Sequence, residues 1–308
     1  MSATPSVGAP TSARRRVSRA ATEQTVIGYL CLSPLLLHFL IFLAFPLVFS
    51  LYLSLTSWDL LSPEKGFVGL GNYVHLFHDR DFWLAAINTV IFAVWRVGAG
   101  TLLALLLALL VNQKVRGISF FRGAIFAPVI TSLVAISVVW LWLYDPNYGL
   151  FNVPLQILGL PPLAWLEDPH LAMPGVIIMS IWKGVGYTMV IYLAGLQGIP
   201  EEFYEAARID GAGSWARFRH VTLPLLTPVT LFVLVISTIG AFQVFAQIYV
   251  MTDGGPVKST TVAVYYLYQQ GFQFFHMGYA SAIAWVLFLV MLVLTVIQFR
   301  SFRQEAGV

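Results

Sequence analysis

Gly198-Ile199-Pro200-Glu201-Glu202-Phe203-Tyr204-Glu205-Ala206-Ala207-Arg208-Ile209-Asp210-Gly211-Ala212 is a short polar stretch lodged between two long apolar runs, 171–196 and 225–251. A helix of about 20 apolar residues crosses the roughly 30 Å hydrocarbon core of a bilayer. Both flanking runs reach that length, so the stretch reads as a loop at a membrane surface. Working outward, runs of the same kind recur at 27–55, 85–111, 123–144 and 278–299, which makes six. They are expected to be helices, because hydrocarbon offers the backbone no partner and an open sheet leaves its edges unpaired. The first run is far longer than the roughly 7–15 apolar residues of a signal peptide, and it is read as a retained span bent near Pro46.

Composition agrees. The chain of 308 residues is 58% hydrophobic and 10% charged, against about 25% charged in a soluble domain. Its mean hydropathy is +0.80. The net charge of +3 does not mark a nucleic-acid binder, because the basic residues are dispersed at the ends of apolar runs. The single cysteine, Cys31, excludes an internal disulfide and a cysteine-rich metal site.

Lysine and arginine also set the expected orientation. Arg14, Arg15, Arg16 and Arg19 precede the first run. Lys114, Arg116 and Arg122 follow the second, Arg208, Arg217 and Arg219 lie in 197–224, and Arg300 and Arg303 follow the last. These twelve face only Lys65, Arg80 and Lys258 in the alternate loops. Both termini and the loop 197–224 are therefore expected on the cytoplasmic side. The expected organisation is a polar tail over 1–26, loosely arranged to residue 24, a six-span body over 27–300, and a tail over 301–308.

Within the loop, Pro200 and the two glutamates form a helix start, since carboxylates favour the positive end of the helix dipole. Asp210-Gly211 stops that helix with a residue free to take positive φ. A second short helix is expected from Ser214 to His220. Small residues bracketed by charges suit docking into a partner's groove. They also suit an amphipathic connector lying on headgroups, and residue physics leaves both readings open.

Glu205-Ala206-Ala207, Asp210-Gly211-Ala212, Phe218, Leu223-Pro224 and Pro228 together resemble the "EAA" loop of importer permeases in the ATP-binding-cassette superfamily. Gly69-Leu70-Gly71-Asn72-Tyr73, Asn88-Thr89, Leu193-Ala194-Gly195-Leu196, Asp253-Gly254-Gly255-Pro256 with Thr260, and Met277-Gly278-Tyr279-Ala280-Ser281-Ala282-Ile283 resemble its carbohydrate-uptake branch. The likeness is to the maltose and glycerol-phosphate permease type, in a six-span form. It implies an all-α membrane protein with the type I importer permease fold, in the cytoplasmic membrane of a bacterium or archaeon. It implies a second homologous permease, a cytoplasmic ATPase dimer that consumes ATP-Mg, an external solute-binding protein, and a sugar or polyol as solute. The chain itself would bind no cofactor and catalyse nothing. Glu205, Ala206, Ala207, Asp210, Gly211 and Ala212 would form the element that couples to the ATPase.

Charges inside membrane spans are costly and face cavities or partners. Ser180, Lys183, Gly184 and Tyr187 fall at i, i+3, i+4 and i+7, hence on one helix face. Ser237, Gly240, Gln243 and Gln247 are expected on one face of the fifth span. These eight are the candidate solute contacts. The resemblance supports Gly184, Tyr187 and Ser237 as matching the maltose permease, whereas Lys183 departs from it. Helix packing is the rival reading of both faces. Arg96 in the second span is expected to bond carbonyls at a break in a neighbouring span.

Other motifs carry less. In Gly254-Gly255-Pro256-Val257-Lys258-Ser259-Thr260 a valine stands where a phosphate loop needs glycine before its lysine. His75 and His78 have a metal-compatible spacing with only Asp79 and Asp81 nearby, so no metal site is expected. An ion-coupled transporter needs acidic residues at mid-membrane, and none of the six runs contains Asp or Glu. A scaffold holding a cytoplasmic partner would leave the two polar faces unexplained.

Overall fold

The computed structural model describes residues 11–61, 65–113 and 115–305, with side chains over 24–302. Lys114 and residues 1–10 and 306–308, all assigned to the cytoplasmic side from sequence, lie outside the described residues. The chain forms two compact units divided between Leu53 and Ser54.

The first unit is a long interrupted helix. Helix α1 covers Thr11–Phe39 and α2 covers Phe45–Ser54, joined by a π-helical turn at Leu40–Ala44. Residues 11–24, expected to be loosely arranged, are thus helical. The wide turn directly precedes Pro46, whose missing N–H interrupts the helical ladder. The helix carries a one-residue insertion there, with the Phe45 N–H donating to the Leu40 carbonyl, and Gln24–Ser54 still counts as one stretch.

The second unit is helical, with one isolated bridge between Thr56 and Phe67. Its elements are α3 Gly71–His78, α4 Arg80–Val111, α5 Ile118–Ile130, α6 Leu133–Leu143, α7 Val153–Ile157, α8 Ala172–Gln197, α9 Glu201–Ile209, α10 Ser214–Arg217, α11 Leu223–Leu225, α12 Thr227–Phe242, α13 Ala246–Met251, α14 Ala263–Tyr268 and α15 Met277–Glu305. The last helix runs through most of the expected C-terminal tail.

Among the described residues four stretches are singly long and apolar enough to cross a membrane: Gln24–Ser54, Arg80–Val111, Ala172–Gln197 and Met277–Phe302. Two bent pairs make six when each counts as one span. These are Ile118–Ile130 with Leu133–Leu143, bent by 101°, and Ser214–Leu225 with Thr227–Phe242, bent by 63°.

Two expected helices are therefore broken. The run 123–144 is interrupted at Thr131-Ser132, where Thr131 is extended and its hydroxyl donates to the Pro128 carbonyl at 2.7 Å. Proline removes one ladder bond and the threonine hydroxyl competes for another, which ends the helix. The run 225–251 is bent at Leu226 and interrupted again at Gln243–Phe245, where Phe245 sits at φ −147, ψ −63.

The core is strung along α4. Phe82 and Ala85 pack with Ala263, Tyr266 and Ile283. Phe92 and Ala93 pack with Val176, Met179, Phe242 and Ile248. Ala104, Ala108 and Val111 pack with Met189, Tyr192, Leu196 and Leu226. Helices α4 and α8 consequently run in the same direction, first half against first half. Glycine sets the closest approaches: a Cβ on Gly186 would collide with the Ile125 carbonyl, and one on Gly278 with the Thr56 carbonyl.

Candidate functional site

Two features stand apart from the packed core, a polar knob and a cavity. The knob is α9 with the turn after it. Pro200 is the residue before the helix, and Glu201 and Glu202 occupy the first turn. The helix ends in a Schellman motif: the Gly211 N–H donates to the Arg208 carbonyl at 3.0 Å and the Ala212 N–H to the Ala207 carbonyl at 2.8 Å. Gly211 takes φ +78, which glycine adopts without strain, and its open side faces no other atom within 4 Å. Glu205, Ala206, Asp210 and Gly211 are exposed, while Ala207 and Ala212 are half-buried. The second helix is shorter than expected, with a π-helical turn at Phe218–Thr222 between α10 and α11. The Tyr204 hydroxyl bonds the Thr222 hydroxyl at 3.1 Å and anchors α9 to that turn. Phe203, Ile209 and Trp215 are 51%, 86% and 72% exposed, so the knob presents apolar residues beside its charges.

The cavity, of about 440 Å³, lies at the middle of α8 against the two helix breaks. Six of the eight candidate contacts line it: Ser180, Lys183, Gly184, Gly240, Gln243 and Gln247. The helix break means that Gly240, Gln243 and Gln247 do not share one continuous helix face. They reach the cavity from α12, the break and α13 in turn. Gln247 is buried and its amide donates to the Ser180 hydroxyl at 3.4 Å. Tyr187 is not among the lining residues, and it is 49% exposed on α8. Ser237 lines a smaller neighbouring cavity with Arg96, Thr101 and Thr188.

Arg96 is a cavity residue that the sequence pattern did not place. Its Nη1 donates to the Ser237 carbonyl at 3.5 Å, in the interior of α12 and not at a helix break. The bond to a broken span belongs to Lys183, whose Nζ donates to the Val129 carbonyl at 3.0 Å. That carbonyl is among the last four of α5, which have no partner within the helix. Arg122 does the same for α4, donating to the Val111 carbonyl from Nη2 at 2.7 Å. Gly184 makes room for Arg96, because a Cβ there would sit 3.2 Å from Nη2. A cation in a span is thus partly a helix-end cap, which composition alone does not reveal.

At the other end of α4 the remaining motifs become joints. The Asn72 amide donates to the Ser54 and Thr56 carbonyls, both at 2.8 Å. The Asn88 amide donates to the Lys258 and Thr261 carbonyls, both at 3.0 Å, and the Thr89 hydroxyl accepts the Ala263 N–H at 2.8 Å. Lys258 pairs with Asp81 at 2.7 Å, so the glycine-rich loop is tied to α4 through its lysine. His78 bonds the Val74 carbonyl and the His75 ring packs on Tyr279. Among the described residues no group of three or more potential ligands is placed to hold a metal.

The profile of the family described as binding-protein-dependent transport system inner membrane component matches residues 14–304. The chain is 41% identical over 285 residues to the probable ABC transporter permease protein YurN of Bacillus subtilis, covering 91% of this chain and 97% of that one. It is 36% identical over 293 residues to the trehalose/maltose transport system permease protein MalF of Thermococcus litoralis, covering 94% and 98%. Its fold matches a chain of a bacterial alginate ABC transporter, solved with its alginate pentasaccharide-bound periplasmic protein. The TM-score is 0.83 at 25% identity, over 93% of this chain and 97% of that one. With its spans, its broken helices and its knob accounted for, the chain belongs to the binding-protein-dependent transport system inner membrane components, a membrane permease and not an enzyme.

Proposed function

We propose that this chain forms half of the translocation pathway of an ATP-driven importer of a sugar or related polyol, and that α9 couples it to the ATPase. The observation that carries the coupling is the knob: a capped helix with exposed Glu205, Ala206 and Ile209, held to the body through Tyr204 and Thr222. A rigid, unpartnered, small-residue helix transmits a push, where a loose loop would absorb it. The partners are a second permease, an ATPase dimer that uses ATP-Mg, and an external binding protein that delivers solute. The knob and both termini face the ATP side. Relatives named for trehalose/maltose and the alginate-bound structural neighbour support the carbohydrate class. Ser180, Gln243 and Gln247 offer the hydrogen-bonding groups that hydroxyls need.

Gly211→Asp tests the coupling. No atom blocks a side chain there, so the fold should persist with about 1–2 kcal/mol of backbone strain. The added carboxylate would project from the docking face. Uptake should be abolished while the permease still reaches the membrane, and normal uptake by this variant removes the coupling role.

A further inference from the structure

The cavity holds an electrostatic imbalance. Arg96 and Lys183 both line it, and its lining includes no Asp or Glu. None of the chain's 14 acidic residues lies in the six apolar runs. Among the described residues the one ion pair, Lys258–Asp81, lies outside this cavity. Each cavity cation meets a neutral carbonyl: Lys183 on Val129 at 3.0 Å, and Arg96 on Ser237 at the long distance of 3.5 Å. An ammonium has three donors and a guanidinium five, so most of this capacity is unspent. Unpaired charge in a span is costly, and the usual solution is an anion. Space for one is present, since a Cβ on Gly240 would meet nothing within 4 Å.

We propose that the transported solute carries an anionic group, a carboxylate or phosphate on a sugar or polyol, and that Arg96 and Lys183 seat it. This rests on reading the cavity as the solute pathway. The two cations hold the charge, and Gln243, Gln247 and Ser180 hold the hydroxyls. A purely neutral sugar would satisfy the remaining donors but leave the charge of both cations uncompensated.

The test uses the full transporter, with both permeases and the ATPase, reconstituted in proteoliposomes with its binding protein. ATP-dependent uptake is measured for matched probes: glucose, glucuronate and glucose 6-phosphate, glycerol and glycerol 3-phosphate, and maltose. An anionic member should be preferred over its neutral parent, and the uronate and phosphate arms identify which anion is used. Loss of one charge-assisted bond should lower the anionic-to-neutral uptake ratio by about tenfold or more in Lys183→Gln and in Arg96→Gln. The ratio should recover in Lys183→Arg. Because it is a ratio, a general loss of folded transporter does not move it. Preferred uptake of a neutral probe overturns the proposal and leaves the import reading intact. So does an anionic preference that neither substitution changes. If the variants shed the partner permease while a neutral probe is carried, the cations pair with a partner carboxylate and the proposal falls. Absence of ATP-dependent uptake for every probe overturns the import reading itself.

Discussion

Asp79 shows how one carboxylate ties several elements together. It precedes α4, accepts the Asp81 N–H at 2.9 Å, and accepts the hydroxyls of Tyr266 and Tyr279 at 2.5 Å each. Burial alone would raise its pKa, but these hydrogen bonds outweigh burial and hold the group below the usual carboxylate range. A depressed folded-state pKa contributes stability that is complete above the unfolded value of about 3.9 and is lost as pH falls through the folded value. Asp79→Asn should therefore lower the thermal midpoint of the detergent-solubilised transporter at neutral pH, by roughly 1–3 kcal/mol in unfolding free energy. The difference from the parent should shrink as the pH is taken below about 4. A constant difference across that acid range would mean that the charge of Asp79 is not what matters.

At the scale of elements, broken helices and glycine contacts shape the cavity region. The break after α5 frees the Val129 carbonyl for Lys183, and the break after α12 turns Gln247 toward Ser180. Glycine then decides how closely the pieces pack. Gly195 lies where a Cβ would come within 2.8 Å of Val229, and Gly186 lies against the backbone of α5. Backbone cannot give way as the end of a side chain can. Gly186→Ala should force α5 and α8 apart and cost about 1–3 kcal/mol, the usual range for overpacking. Scanning calorimetry of the purified complex would read this as a lower midpoint, and an unchanged midpoint would show that α5 yields without cost.

For the molecule as a whole, the distribution of Lys and Arg sets the expected orientation. Short loops rich in Lys and Arg tend to stay cytoplasmic, and Arg208, Arg217 and Arg219 in 197–224 give the expectation that this loop does so. Reporter fusions should show it. A fusion after residue 305 and one within 211–213 should be active only for a cytoplasmic reporter, and one within 158–162 only for an exported reporter. The opposite pattern would put α9 on the side without ATP and end its coupling role. The apolar side chains exposed on α4, among them Ile87, Val94, Leu102 and Leu110, fit a body whose solvent is partly lipid.

The sequence by itself determined the number and rough extent of the apolar runs, the expected sidedness, and the ends of the α9 helix. Each of these is local. Run length is compared with bilayer thickness, charge is counted between runs, and Pro200 and Gly211 act within one helical turn. Helical spacing put Ser180, Lys183 and Gly184 on one face of α8, and all three line the cavity. Spacing also implied a continuous fifth helix, because periodicity assumes an unbroken one, and it grouped Tyr187 with the cavity face of the unbroken α8 although Tyr187 does not line the cavity. Only the tertiary structure decided that Lys183 caps α5, that Arg96 enters the cavity, and that Asn72, Asn88 and Lys258 are joints. Those roles depend on groups brought together from up to 177 positions apart, as Lys258 and Asp81 are, and on carbonyls such as that of Val129 left free at a helix end. No local pattern records which orphan carbonyl will meet which donor.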